Sequence, residues 1–454
     1  MPDASTLKFL LERGPMSKAD IVQRLGINEE VLQEWLDTLN SGIVKFGETE
    51  NPSYALKRLV SGYSNFPIWE VLGAGQLVKM GELIPVFPEG YITLWDDGLL
   101  AGQRHYNRGL PWWLQDMRPQ GFIGRAFVFL HAEQLNLPKD LKLWKDDDVL
   151  IALTQYGGDS SGSLLIGEKS FQVALKYYVS LLLRVDDFIG DKDFIRKVES
   201  YCLLARQTID FEMIGSSAGG EQPKFAFISP AEKHVIVKFT ANSNNNITQR
   251  WGSLLQAECI ATRILRYAGI ASAATYFLEL NNQWFLEVER FDRVGLYGRK
   301  GLVSLAAVDS EFVGQADATW SIQAIELQKQ GLISAEDAET MQKLEAFGRM
   351  IGNADMHLGN LSFFHEQTTN LRLAPVYDML PMLFAPRASG HIPNEVPEIR
   401  LVTPPAIEHW QAMFPIALQY WQQILELPQP DESFKAIAVK FIERLQELKP
   451  KIGL

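Results

Sequence analysis

The sequence predicts an α+β protein in which a small winged helix-turn-helix precedes a larger, two-lobed body. Three observations predict it. Residues 5–58 carry three short amphipathic patterns and then two short apolar runs, the order of a helix-turn-helix with a wing. Residues 224–288 read as strands around one long helical pattern, Trp251–Tyr267. Residues 313–454 are mostly helical in period and flank one polar loop, Asn353–Asn360, with apolar runs.

The bulk numbers narrow the classes. A chain of 454 residues should hold two or three domains, and 46% hydrophobic against 22% charged residues allows sizeable cores. A net charge of −12 opposes broad coating of nucleic acid or acidic membrane and leaves room only for a local basic patch. Two cysteines, Cys202 and Cys259, are too few for a disulfide framework or a zinc site and fit a reducing cytoplasm. Met1–Ser5 shows neither a basic n-region nor an apolar h-region, and no run reaches 18 apolar residues. A cytoplasmic chain with no secretory signal and no membrane span is therefore expected.

The first unit is expected over residues 1–60. Leu7, Phe9, Leu10 and Leu11 mark a helix that ends at Gly14-Pro15. Ser17 caps a second, Lys18–Leu25, with Asp20 three residues on. A third, Glu29–Asn40, puts Val31, Leu32, Trp35, Leu36 and Leu39 on one face and stops at Gly42. Ile43–Phe46 and Tyr54–Lys57 read as the strands of the wing. Such a unit suggests DNA binding by the third helix; a protein-docking winged helix is the alternative. Glu29, Glu30, Glu34 and Asp37 suit phosphate poorly, and beyond Lys8 and Arg13 at the first helix cations come only from Lys18, Arg24, Lys45, Lys57 and Arg58.

Residues 61–70, with Gly62, Ser64, Asn65 and Pro67, read as a linker, and a second unit is expected over 65–200. In it Leu83–Phe87, Tyr91–Trp95 and Phe122–Leu130 read as strands. Asp146–Asp148 reads as a solvated helix start, since a calcium loop needs spaced ligands. Gly157–Gly162 reads as a loop before a strand, and 171–209 as mostly helical.

Chemistry begins in the third unit, a nucleotide-binding lobe expected over 201–312. Its loop Met213–Lys224 is rich in small residues, which let backbone N–H groups approach phosphate, and Lys224 adds charge. It is not a Walker loop, because Glu221 stands where that motif requires Lys. The strand Val235–Phe239 carries Lys238, an ammonium that needs a partner in such apolar surroundings. Glu258 on the helix Trp251–Tyr267 is the expected one. Strands Tyr276–Leu280 and Trp284–Val288 meet at Asn281-Asn282, and Glu289–Asp292 follow as a connector.

The helical lobe, expected over 313–454, holds Asp355 and Asn360 five residues apart, and Asp378 follows the apolar run Leu371–Val376. Pro381–Pro397 reads as an irregular segment and 404–454 as helical core. A Gly-rich loop, a Lys strand, a Glu helix, a hinge, an Asp…Asn loop and a second Asp are the parts of a protein-kinase centre, in its order. In that plan Asp355 accepts the proton of the attacking hydroxyl, while Asn360 and Asp378 hold the Mg²⁺ that bridges the ATP phosphates.

These residues resemble the HipA family of bacterial serine/threonine kinases, toxins of toxin–antitoxin pairs. The resemblance rests on Ser217–Lys224, Val288–Arg293, Asn353-x-Asp-x-His-x-x-Asn360 and Leu373-Ala-Pro-x-Tyr-Asp378, within about residues 212–385. It implies a two-lobed protein-kinase-like fold of the HipA type, ATP and Mg²⁺ as cofactors, and a protein substrate whose modification inhibits growth. By the same resemblance Gly219, Gly220, Glu221, Gln222, Pro223 and Lys224 meet the phosphates and Lys238 binds ATP. Glu289, Arg290 and Phe291 form the adenine hinge; His357, Leu358, Gly359, Asn360, Tyr377 and Asp378 complete the nucleotide site. It implies autophosphorylation at Ser217, which would place negative charge where ATP phosphates lie. In the two-gene systems a separate helix-turn-helix antitoxin binds operator and kinase, so a HipB-like antitoxin is an expected partner.

The chain departs from the pattern twice. Gly359 stands where many members have Lys, and the N-terminal winged helix is not part of the usual toxin. Two other readings stay open: a small-molecule kinase, and a DNA-binding regulator whose kinase fold senses nucleotide. Intact Lys238, Asp355, Asn360 and Asp378 argue against an inactive centre.

Overall fold

Three capped helices open the chain: α1 (Ala4–Leu11), α2 (Lys18–Leu25) and α3 (Glu29–Leu39), with strand β1 (Met16–Ser17) between the first two. The caps are side-chain oxygens of Asp3, Ser17 and Asn28, which accept from Thr6, Asp20 and Val31 N–H groups at 2.9–3.1 Å. Gly26, at φ +63°, ends α2 in the left-handed conformation. Strands β2 (Ile43–Phe46) and β3 (Ser53–Leu56) complete an antiparallel sheet of order β1-β3-β2. Leu7, Leu11, Ile21, Leu32 and Leu36 seal its core. The computed structural model that gives these coordinates describes residues 3–96, 102, 104–185, 197, 199–208, 222–229, 232–365 and 370–454.

The second unit is a five-stranded antiparallel sheet with helices against it. Its strands are β4 (Phe66–Val71), β5 (Leu77–Pro85), β6 (Tyr91–Trp95) and β7 (Arg104–Asn107). Helices α4 (Gly121–His131) and α5 (Asp146–Tyr156) follow, then β8 (Leu164–Ile166) and α6 (Glu168–Val185); the order is β7-β6-β5-β4-β8. Two expectations fail here. Phe122–Leu130 is helix, not strand. Its aromatic and apolar residues hide the period, because Ile123, Phe129 and Leu130 stay exposed while Phe122, Gly124 and Val128 face inward. Residues 66–70 are not linker: Phe66 and Ile68 are buried in β4, which pairs on both sides.

The first two units are joined by an apolar seam. Val44 and Ala55 on the wing strands pack against Ile84, Val86 and Ile92, and Arg104 donates to the Lys45 carbonyl at 2.8 Å. The wing is thus covered on one face.

The nucleotide-lobe sheet is β9 (Lys224–Ile228), β10 (His234–Phe239), β11 (Thr275–Leu280) and β12 (Gln283–Glu289), in the order β11-β12-β10-β9. Helix α7 (Asn246–Tyr267) crosses between β10 and β11. Asn281 and Asn282, at φ +51° and +60°, make the tight turn of the β11–β12 hairpin. Behind the sheet, Tyr201 from helical residues 199–208 packs on Phe225, Phe239 and Phe285.

Short strands β13 (Arg293–Val294), β14 (Gly298–Arg299) and β15 (Leu302–Ser304) lead into α8 (Leu305–Phe312), α9 (Trp320–Lys329) and α10 (Ala335–Met350). After the polar loop come β16 (Ser362–Phe364) and β17 (Arg372–Leu373), then α11 (Ile407–Glu426) and α12 (Ser433–Leu448). Their apolar faces share one core with α7, built around Trp320, Phe347, Trp410, Trp421 and Phe441. Arg250 on α7 is fully buried. It ties that helix to the irregular segment and to the α12 start through Pro393 O, Asn394, Asp431 and Ser433.

Candidate active site

Strand periodicity decides which side chains the nucleotide-lobe sheet turns to the cleft. Lys224 and Ala226 on β9, Ile236 and Lys238 on β10, and Val288 on β12 line one cavity of about 420 Å³. Lys224 stands directly opposite Lys238 in the register, so two lysines share this face.

Lys238 Nζ lies 2.7 Å from both carboxylate oxygens of Glu258 and also bonds Asp378 Oδ1. Glu258 is wholly buried. Helix α7 approaches the sheet this closely because residue 252 is glycine; a Cβ there would meet the Trp284 ring at 2.8 Å. Burial opposes charge on Lys238, but Asp378 and Glu258 outweigh it and hold the ammonium above its ordinary range. Burial likewise raises the Glu258 carboxyl, with Lys238 acting against it. At Asp378 burial loses to Lys238 and Lys224, which hold its carboxyl below the usual range. Asp378 takes φ +52°, a left-handed conformation uncommon for a residue with a side chain.

The loop between α10 and β16 is pinned by its own polar groups. Asp355 N–H donates to Asn353 Oδ1 at 3.0 Å, and Asn360 Nδ2 donates to Asp355 O at 2.8 Å. His357 Nδ1 accepts from Gly359 N–H at 3.0 Å. A Cβ at 359 would stand 3.0 Å from that ring, so glycine suits a loop in which His357 folds back. Tyr377 O–H donates to Gly359 O at 2.8 Å, and its oxygen also bonds the Ser362 hydroxyl. Trp320 Nε1 donates to His357 O at 3.1 Å. The Asp355 side chain is half exposed, with His357 Nε2 3.9 Å from its Oδ1.

The loop separates two cavities. Gly359, Tyr377 and Asp378 line the first, with Lys238. Asp355, His357 and Leu358 line a second of about 400 Å³, together with Ala316–Trp320, Glu345 and Arg349. Asn360 is buried and is in the lining of neither.

The other expected residues divide. Glu289, Arg290 and Phe291 line the first cavity. The Glu289 carboxylate turns to Lys233 at 2.7 Å, and Arg290 is committed to Asp159 at 2.8 Å and Asp292 at 3.0 Å. Phe291 packs near Tyr377, with ring centroids 5.8 Å apart. Gln222 donates to Phe239 O, and Pro223 O accepts from Phe239 N–H at 3.0 Å. Ser217, Gly219, Gly220 and Glu221 lie outside the described residues.

What sequence reasoning missed is the far wall of the first cavity. It comes from the second unit: Asp116–Gln120, Ile123, Phe127, Tyr156 and Asp159–Ser161. The Gly157–Gly162 run was the one visible signal. Gly158 allows Ser170 O and Ala174 to approach, as a Cβ would meet them at 2.2 and 2.5 Å.

Comparison with known proteins gives this geometry a family. A HipA-like C-terminal domain family matches residues 216–443, and a YjjJ-like toxin middle domain matches 63–175. Toxin YjjJ of Escherichia coli (strain K12) is 37% identical over 453 residues, 99% of each chain. The chain belongs to the HipA-like toxin family. A Shewanella oneidensis MR-1 complex of HipA, HipB and operator DNA has the same fold. Its alignment covers 84% of this chain and 97% of that one, at TM-score 0.54 and 16% identity. The Helicobacter pylori proinflammatory kinase CtkA aligns over 52% of this chain and 92% of its own, at TM-score 0.37 and 12% identity. The fold is therefore the two-lobed fold of HipA. Among the described residues no helix is long and apolar enough to cross a membrane.

Proposed function

We propose that this chain is an ATP-dependent serine/threonine protein kinase that acts as a growth-inhibiting toxin. The observation that carries the reading is the pair of cavities on the two sides of the loop Asp355–Asn360. One is lined by two lysines and Asp378, and suits a triphosphate. The other exposes the Asp355 carboxylate, and suits a substrate hydroxyl that attacks the terminal phosphate and gives its proton to Asp355.

The residues fit Mg²⁺. Among the described residues no group of three His, Cys, Asp or Glu could hold a metal alone. Mg²⁺ takes few protein ligands and completes its shell with water and phosphate oxygens. Asn360 commits its Nδ2 to Asp355 O, which leaves Oδ1 for a cation, and Asp378 adds a carboxylate. A bound Mg²⁺ would neutralise charge on the triphosphate. Lys238 and Lys224 supply positive charge at the same face, Tyr377 holds the loop carbonyl, and Asp355 takes the hydroxyl proton.

The test is incubation with Mg²⁺ and labelled ATP, followed by mapping of phosphate on protein. Label on Ser or Thr of a protein is expected, with Ser217 as the site of self-modification. Label that reaches metabolites and never protein would replace the reading by a small-molecule kinase.

The partner reading follows surface chemistry. The Shewanella complex contains HipB and operator DNA, and a HipB-like antitoxin is the partner we propose here. Direct DNA contact by residues 1–60 is opposed by charge. Glu29, Glu30, Glu34, Asp37, Glu48 and Glu50 are exposed on α3 and the wing tip. Of the seven Lys and Arg residues in this stretch, Lys18 pairs with Glu29 at 3.1 Å and Arg58 with Asp147. At physiological salt the chain should retain no duplex above the level of an acidic control protein; a sequence-specific footprint would overturn this part.

A further inference from the structure

The first cavity is asymmetric in origin. Its sheet side belongs to the nucleotide lobe, and its opposite side to the second unit, from about residue 116 to 161. We infer that this second unit is a working wall of the nucleotide site, and that Ile123 touches the bound purine nucleotide. The inference rests on the proposed kinase reading and assigns residues to the same site.

Three observations carry it. First, both sides are apolar where a flat base would lie. Ala226, Ile236 and Val288 face Ile123, Phe127 and Tyr156 across the cavity. An apolar slot with a few placed polar groups is the usual form of a site for a planar ligand. Second, Ile123 is 44% exposed although α4 buries its neighbour Phe122. It lines the cavity, so a ligand there would cover apolar surface that the fold leaves open.

Third, the wall is fixed to the lobe it faces. Asp116 accepts from Ser304 N–H and Oγ–H at 2.5 and 2.6 Å. Asp159 pairs with Arg290 and Arg293, and Gly162 N–H donates to Asp292 at 3.0 Å. The wall is preorganised, so binding does not have to order it.

The experiment titrates the full chain with Mg²⁺ and a non-hydrolysable ATP analogue. Ile123→Glu, which sets a carboxylate in the apolar wall, should weaken binding about tenfold or more. In turnover it should raise KM for ATP and leave kcat near the parent value. It replaces no side chain with internal hydrogen bonds, so the ligand-free Tm should hold. In the parent chain the analogue should also slow amide exchange over residues 121–131 and 157–161, a readout independent of any variant. Parent-like affinity in the variant, or unchanged exchange there, would overturn the inference while the kinase reading stands. A parent chain that binds no adenine nucleotide would remove both together.

Discussion

Asp355→Ala should lower phosphoryl transfer from ATP about 10²–10⁴-fold, the usual worth of a positioned general base. It should leave nucleotide affinity close to that of the parent. The two halves of this expectation come from one geometric fact. Asp355 holds its loop through backbone atoms: its N–H goes to Asn353 and its carbonyl accepts from Asn360. Truncating the side chain keeps both bonds, so Asn360 stays in place. The lost carboxylate belongs to a residue that lines the second cavity and not the first. Initial rates with labelled ATP, set beside titration with a non-hydrolysable analogue, separate the effects. An unchanged rate would remove Asp355 from the chemistry. A large loss of affinity would mean that the loop reports to the nucleotide side, contrary to its hydrogen bonds.

How much of this was legible before the coordinates depends on the range of the interactions. Lys238 with Glu258 was legible, because an ammonium in an apolar strand needs a partner and the next helix offers one carboxylate on its inward face. The Asp355–Asn360 spacing was legible as a local pattern in a polar loop. Asp378 was legible as the second Asp of the centre, but its bond to Lys238 from 140 residues away was not, since no spacing encodes that approach. The far wall was hidden for the same reason. Asp116 and Ser304 stand 188 residues apart, and their contact is decided by how two units pack. Phe122–Leu130 failed differently. Helix α4 is apolar on both its buried and its cavity-lining faces, so the 3.6-residue period that marks a half-solvated helix is blurred. If Ile123 serves a ligand, the site itself erased the signal, as expected where function overrides local patterning.

Lys238→Met tests the buried charge group, and stability is the sharper readout. The parent places one ammonium between Glu258, which is wholly buried, and Asp378, which is partly so. Removing the cation leaves two carboxylates facing each other without compensation, a change that typically costs about 3–5 kcal/mol. The loss should depend on pH, with a definite sign. Burial already raises the Glu258 carboxyl against the pull of Lys238; without that pull it rises further. A carboxyl whose folded pKa is raised favours the folded state below its ordinary range and loses that favour as pH climbs through the folded value. Asp378, held low by Lys238 in the parent, loses the same support. The deficit of the variant should therefore be large at pH 7 and smaller at pH 5, where a bound proton substitutes for the missing ammonium. Urea midpoints of both proteins at the two pH values measure it. Adding Glu258→Gln to the variant should recover part of the loss at pH 7, since one of the two buried charges is then gone. A deficit that stays constant or widens on acidification would mean that Glu258 and Asp378 are not the groups Lys238 neutralises.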